Sequence, residues 1–160
     1  MKANKMKKVL IALDYNPTAQ KVAEVGYSLA LSLNAHAVLL HVISDPVFYA
    51  VTGYSPIMGF DGSIDMSPRI IESVDGLKNA SLQYLNKSRE HLGDDTIKTM
   101  VKEGEFAETI LATAKEIHAD IIVMGSHSQK WLESILLGSV TEKVLNNSPI
   151  PLFIVPTKKK

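Results

Sequence analysis

Five short apolar runs alternate with stretches of helical spacing along this chain, and that alternation leaves few folds open to it. The runs are Val9–Leu13, Val38–Ile43, Ile97–Val101, Ile121–Met124 and Leu152–Val155. Between them apolar residues return every three or four positions, which lines one face of a helix. The first stretch opens with Asn16 as an N-cap and Pro17 as the first helical residue. Its inner face reads Ala19, Val22, Ala23, Gly26, Leu29, Ala30 and Leu33. A second helix is predicted from Ile70 to Leu92, with Val74, Leu77, Tyr84 and Leu85 on one stripe. A third runs from Phe106 to His118 and buries Phe106, Ile110, Leu111, Ala114 and Ile117; a last one runs from Gly138 to Asn147. Strands that alternate with helices predict an α/β domain. The first, second and fourth runs are apolar throughout, as parallel strands covered on both faces are. The third alternates, with Lys98 and Lys102 on its polar side, and reads as an edge. The fifth is apolar on both faces although it comes last, so it is either internal or an edge that another chain covers.

With 160 residues and 46% apolar composition, the chain has enough material for one domain with a real core, residues 1–160. It has no cysteine, which excludes a disulfide scaffold, a thiolate metal site and a cysteine nucleophile. The net charge of zero hides an asymmetry: Lys2, Lys5, Lys7, Lys8 and Lys158 to Lys160 crowd the two ends. Without these seven, the 17 basic residues fall to 10 against 17 acidic ones, a body charge of −7. An acidic body argues against a nucleic-acid surface, which needs clustered Lys and Arg on a folded face. The ends, residues 1–6 and 157–160, read as solvated basic tails. No apolar run approaches the roughly 18 residues of a membrane span, and the stretch after the basic N-terminus is short for a signal peptide. The expected setting is cytoplasmic, with no membrane partner.

One irregular stretch, residues 44–69, is long for a compact domain. It holds Phe48, Tyr49, Tyr54 and Phe60, and reads either as a surface loop packed by its own aromatics or as a lid or subunit contact. The chemically informative segment runs from Met124 to Thr141. Gly125 follows a buried strand, at the carboxyl end where open α/β sheets bind ligands. A glycine there lets backbone amides approach an anion. Gly138, Ser139, Val140 and Thr141 open the last helix, whose first amides and dipole favour phosphate, and Ser139 and Thr141 add hydroxyls. Gly125 and Gly138 also read simply as a turn residue and a helix-start residue.

This pattern resembles that of the universal stress protein family, whose ATP-binding members carry Gly, two residues, Gly, nine residues, then Gly and Ser or Thr. Gly125, Ser128, Gly138 and Ser139 hold those positions with the spacing intact; Ser128 departs from the family's glycine. Asp14 matches the family's aspartate after the first strand, Val42 its apolar residue beside the adenine, and Gly104 with Ala107 its Gly-x-x-Ala at the third helix. The resemblance runs from about Lys7 to Pro156. It implies a Rossmann-like open sandwich: a five-stranded parallel sheet of order 3-2-1-4-5 with helices on both faces. It implies an adenine nucleotide, ATP or else AMP or ADP, with Mg²⁺ balancing the triphosphate. The residues it points to are Ala12, Leu13, Asp14, Val42, Met124, Gly125, Ser126, His127, Ser128, Gly138, Ser139, Val140 and Thr141. It also implies a homodimer formed through the strand Leu152–Val155. The other outcome open to such a chain is a dimerising stress or interaction protein that does not bind ATP.

Other chemistries find no support. There is no Walker sequence, no G-x-G-x-x-G, and Gly125-Ser-His-Ser-Gln lacks the closing glycine of a nucleophile elbow. His36 and His41 are an odd number apart and fall on opposite strand faces. His41, inside an apolar strand, reads as a satisfied core or interface histidine. Asp61 and Asp65 lack the calcium-loop pattern. No base is evident for activating water, so hydrolysis, if it occurs, is expected to be slow.

Overall fold

The computed structural model describes residues 5–14, 18–44, 74–126 and 138–157. Asn16, Pro17, residues 45–69 of the long loop, residues 70–73 of the predicted second helix, His127 and Ser128 lie outside them. The described elements are β1 (Lys8–Ala12), α1 (Ala19–Leu33), β2 (His36–Ile43), α2 (Val74–Leu92), β3 (Lys98–Glu103), α3 (Phe106–Glu116), β4 (Ile121–Gly125), α4 (Ser139–Asn147) and β5 (Leu152–Val155). The strands form one parallel sheet of order β3-β2-β1-β4-β5, as expected.

Period-two alternation splits the core into two layers. Val9, Ile11 and Leu13 of the β1 segment, Leu39 of β2 and Val123 of β4 face α1 and α2, meeting Val22, Ala23, Ala30, Tyr84 and Leu85. Leu10, Val38, Leu40, Val42, Ile122 and Met124 face the other way, onto Ala107, Ile110 and Ala114 of α3 and Val144 of α4. Both faces of the central strands are therefore covered, which is why their sequences are apolar throughout. In α1 the expected inner face holds: five of its residues are buried, and Leu29 and Leu33 are partly buried against the same layer. Gly26 lets α1 lie close to the sheet; a Cβ there would meet Ile11 Cγ1 at 2.9 Å and Val123 Cγ1 at 3.1 Å.

Element ends move by a residue or two. β3 continues to Glu103 because Val42 and Ile43 supply partners for Lys102 and Glu103. Charged residues there suit an edge strand, and they obscure its end in the sequence. α3 stops at Glu116, and His118 takes a left-handed φ of 55° while Ala119 N–H closes the end onto Ala114 O. The fifth strand is an edge, not an internal strand: Phe153 is 38% exposed and Val155 is buried. The assignment of Thr157 to a solvated tail is corrected, since it is only 7% exposed and hydrogen-bonded to Ser126. Met6 likewise packs partly buried against the core.

Candidate functional site

The sheet order turns back between β1 and β4, which opens a crevice at the carboxyl ends of those strands. Ala12, Leu13 and Asp14 end β1, Val42 lies near the end of β2, and Met124, Gly125 and Ser126 end β4. The start of α4 is tied to the same point. Gly138 N–H donates to Ser126 O at 2.8 Å, and Thr141 Oγ1 donates to Gly125 O at 2.9 Å. All the described residues of the sequence-derived site thus lie at one end of the sheet.

Their roles differ. The side chains of Leu13, Val42 and Met124 are buried, at 4%, 5% and 5% exposure, within the two core layers, so little of any of the three is open to the crevice. Thr141 is buried and its single proton is committed to Gly125 O, so its hydroxyl braces the turn instead of reaching a phosphate. Ser126 N–H is committed to Val155 O at 2.9 Å, and Gly138 N–H to Ser126 O. The amides of Ser139, Val140 and Thr141 fall in the first turn of α4, ahead of the first intrahelical bond from Glu142 N–H to Gly138 O. Among the described residues no side chain caps this end, the N-cap Gly138 having none. The contrast with α3 is direct: Glu105 caps it, its Oε2 accepting from Glu108 N–H at 2.8 Å. Ser139 is exposed, and the one acidic residue in the first turn of α4, Glu142, is exposed too.

Two of the three glycines singled out in the sequence, Gly125 and Gly104, have a local physical reason. At Gly125 a Cβ would sit 3.0 Å from Thr157 Cγ2 and 3.1 Å from Val22 Cγ2, so packing alone demands a small residue. Gly138 has φ −57° and ψ 150°, an extended conformation open to any residue. Gly104 has φ +149°, and a Cβ there would meet Thr109 Oγ1 at 2.5 Å. Ala107 is fully buried at the foot of α3.

Sequence reasoning missed the residues that hold these turns. Thr157 N–H donates to Ser126 Oγ at 3.0 Å, the two hydroxyls lie 3.3 Å apart, and Lys21 Nζ donates to Pro156 O at 2.8 Å. The signal available was a polar residue two positions after the final strand, at the carboxyl end of the sheet. At the β1 side, His41 Nδ1–H donates to Leu13 O at 2.8 Å and Tyr84 OH to Asp14 O at 3.1 Å. Burial pulls the His41 imidazole down to about 4, against the opposing effect of its bond to Leu13 O. Burial, and then the charge of Asp14, hold the Tyr84 phenol above its usual range. Among the described residues no three His, Asp or Glu side chains are grouped to hold a metal. No helix among them is long and apolar enough to cross a membrane.

The comparisons with known proteins agree with this architecture. The family model described as the universal stress protein family matches residues 5–156. Universal stress protein MJ0577 of Methanocaldococcus jannaschii is 30% identical over 159 residues, covering 95% of this chain and 96% of that protein. Its solved structure superposes with a TM-score of 0.70 at 25% identity, over 98% of this chain and 100% of that one. A universal stress protein solved in complex with cAMP shares the fold at TM-score 0.61 and 19% identity, covering 97% of this chain and 100% of that one. One from Archaeoglobus fulgidus in complex with dAMP does so at 0.59 and 16%, covering 94% and 98%. With a family model spanning almost its whole length and a sheet of the expected order, the chain belongs to the universal stress protein family.

Proposed function

We propose that this protein is a stress-related regulatory module that binds an adenine nucleotide, ATP before AMP or ADP, at the carboxyl end of the β1–β4 crevice. The observation that carries the reading is the first turn of α4, which no side chain among the described residues caps and which two hydrogen bonds anchor to the Gly125–Ser126 turn. Amides held there with no acceptor among the described residues suit a phosphate. The nucleotide-bound relatives, one with cAMP and one with dAMP, support an adenine base. In this reading Asp14 and Val42 lie on the adenosine side. Ser139, Val140 and Thr141 amides and the Gly125–Ser128 turn, including His127, lie on the phosphate side. Mg²⁺ bound together with the triphosphate would offset part of its charge near an acidic body. In this reading any hydrolysis is slow, since the sequence offers no evident base for activating water.

Calorimetry tests this. ATP binds with micromolar affinity and, at a hundredfold excess over Kd, stabilises the fold by about 2.7 kcal/mol. Absence of heat and of any melting shift at millimolar ATP overturns the reading.

A second reading has its own observation. The packing of Thr157 and Val22 accounts for Gly125 without any ligand, and Phe153 is exposed on the β5 edge. Those features fit a dimerising interaction protein without ATP. Protein purified without added ligand separates the two: co-purifying adenine nucleotide, seen by absorbance and mass, favours the first. In both readings β5 pairs with its copy across a twofold axis to form a homodimer.

A further inference from the structure

We propose that His41 and Tyr84 act together as positioning residues that aim Asp14 into the nucleotide crevice; this rests on the nucleotide reading above. β1 ends at Ala12, so the next two carbonyls, of Leu13 and Asp14, lie past the regular ladder. Two side chains from different elements take them, one each. His41 of β2 donates to Leu13 O and Tyr84 of α2 to Asp14 O. Both side chains are 1% exposed, and their rings meet edge to face at 5.6 Å and 73°. A carbonyl only accepts, so the bond to Leu13 O fixes the Nδ1–H tautomer of His41.

Placing a histidine and a tyrosine in this layer is costly compared with leucine and phenylalanine of similar shape. Buried polar groups lose water, and replacing a buried polar pair by apolar groups is often neutral for stability. What the pair supplies is geometry. Bonds to two consecutive carbonyls pin the peptide planes on either side of the Asp14 Cα, and with them the direction in which its side chain leaves the backbone. The Asp14 carboxylate lies near enough to the Tyr84 ring for its charge to act on the phenol. The neutral imidazole and the protonated phenol keep both donors in place through the physiological range.

The test uses the full chain and calorimetry with ATP and with inorganic tripolyphosphate, which lacks the adenosine that Asp14 serves. Tyr84→Phe removes one oxygen and keeps the ring. It weakens ATP binding about fivefold, the size one lost neutral hydrogen bond carries, and leaves tripolyphosphate binding unchanged. Asp14→Ala also weakens ATP, and the double variant binds no worse than Asp14→Ala alone, because Tyr84 acts through Asp14. His41→Asn, which retains a donor close to the Nδ1 position, keeps more ATP affinity than His41→Leu, although leucine suits the apolar strand better. Equal ATP binding by Tyr84→Phe and the unmutated chain overturns the proposal. So do additive losses in the double variant, equal losses of ATP and tripolyphosphate, or a His41→Leu chain that binds as well as His41→Asn. If the unmutated chain binds no adenine nucleotide, the nucleotide reading itself is overturned and the role assigned to the pair falls with it.

Discussion

Between pH 6.5 and 4 the unfolded chain takes up a proton at position 41 that the folded chain refuses, because burial has lowered the folded pKa of His41 from 6.5 to about 4. Stability follows the difference in bound protons, so this contribution is fully present above pH 6.5 and is lost as pH falls towards 4. At about 1.4 kcal/mol per unit the loss approaches 3 kcal/mol. Urea unfolding at stepped pH checks it: the slope of stability over this window flattens in His41→Leu and persists in Tyr84→Phe. The same scale holds a second prediction. Gly125→Ala pushes a methyl against Thr157 and Val22 and costs about 1–2 kcal/mol. Thr157→Ser, which removes the Cγ2 of that contact, recovers part of the loss. The turn at Gly125, directly after a buried strand, was legible in the sequence. Its packing against Thr157 was not, because the two residues are brought together only by pairing of β4 with β5.

Helices were legible where one face does one job. The α1 stripe from Ala19 to Leu33 is the buried face because it meets a continuous apolar sheet. Helix ends were less legible, because the usual sign of a left-handed stop is glycine. Gly93 supplies it after α2, but α1 and α3 stop at Asn34, with φ 53°, and at His118, with φ 55°. Histidine in that conformation is strained, and His118 is exposed. His118→Gly therefore raises stability by about 0.5–1 kcal/mol, read from the urea midpoint. Gly26→Ala runs the other way. Helix propensity favours alanine by about 1 kcal/mol, but the contacts at 2.9 Å to Ile11 and 3.1 Å to Val123 outweigh it, and the melting temperature falls.

At the scale of the whole molecule, strand texture identified β3 as an edge and left β5 ambiguous, since four apolar residues offer no polar face to read. In the fold β5 is the opposite edge, with Phe153 outward. An apolar edge of this kind is a pairing surface, and Pro151 and Pro156 bound its length. Sedimentation of the unmutated protein at high micromolar concentration is expected to give a dimer, and Phe153→Lys a monomer or insoluble protein; a monomer without the substitution refutes pairing through β5. The bond from Thr157 to Ser126 has a practical consequence. In a parallel sheet every strand starts at one end and finishes at the other, so anything joined before Lys5 leaves the domain far from the crevice. Anything joined after Thr157 leaves it beside the Gly125–Ser126 turn. A fluorophore attached there senses whatever enters the crevice, whereas the same dye at the amino terminus stays silent, and an affinity tag belongs at the amino terminus for the same reason.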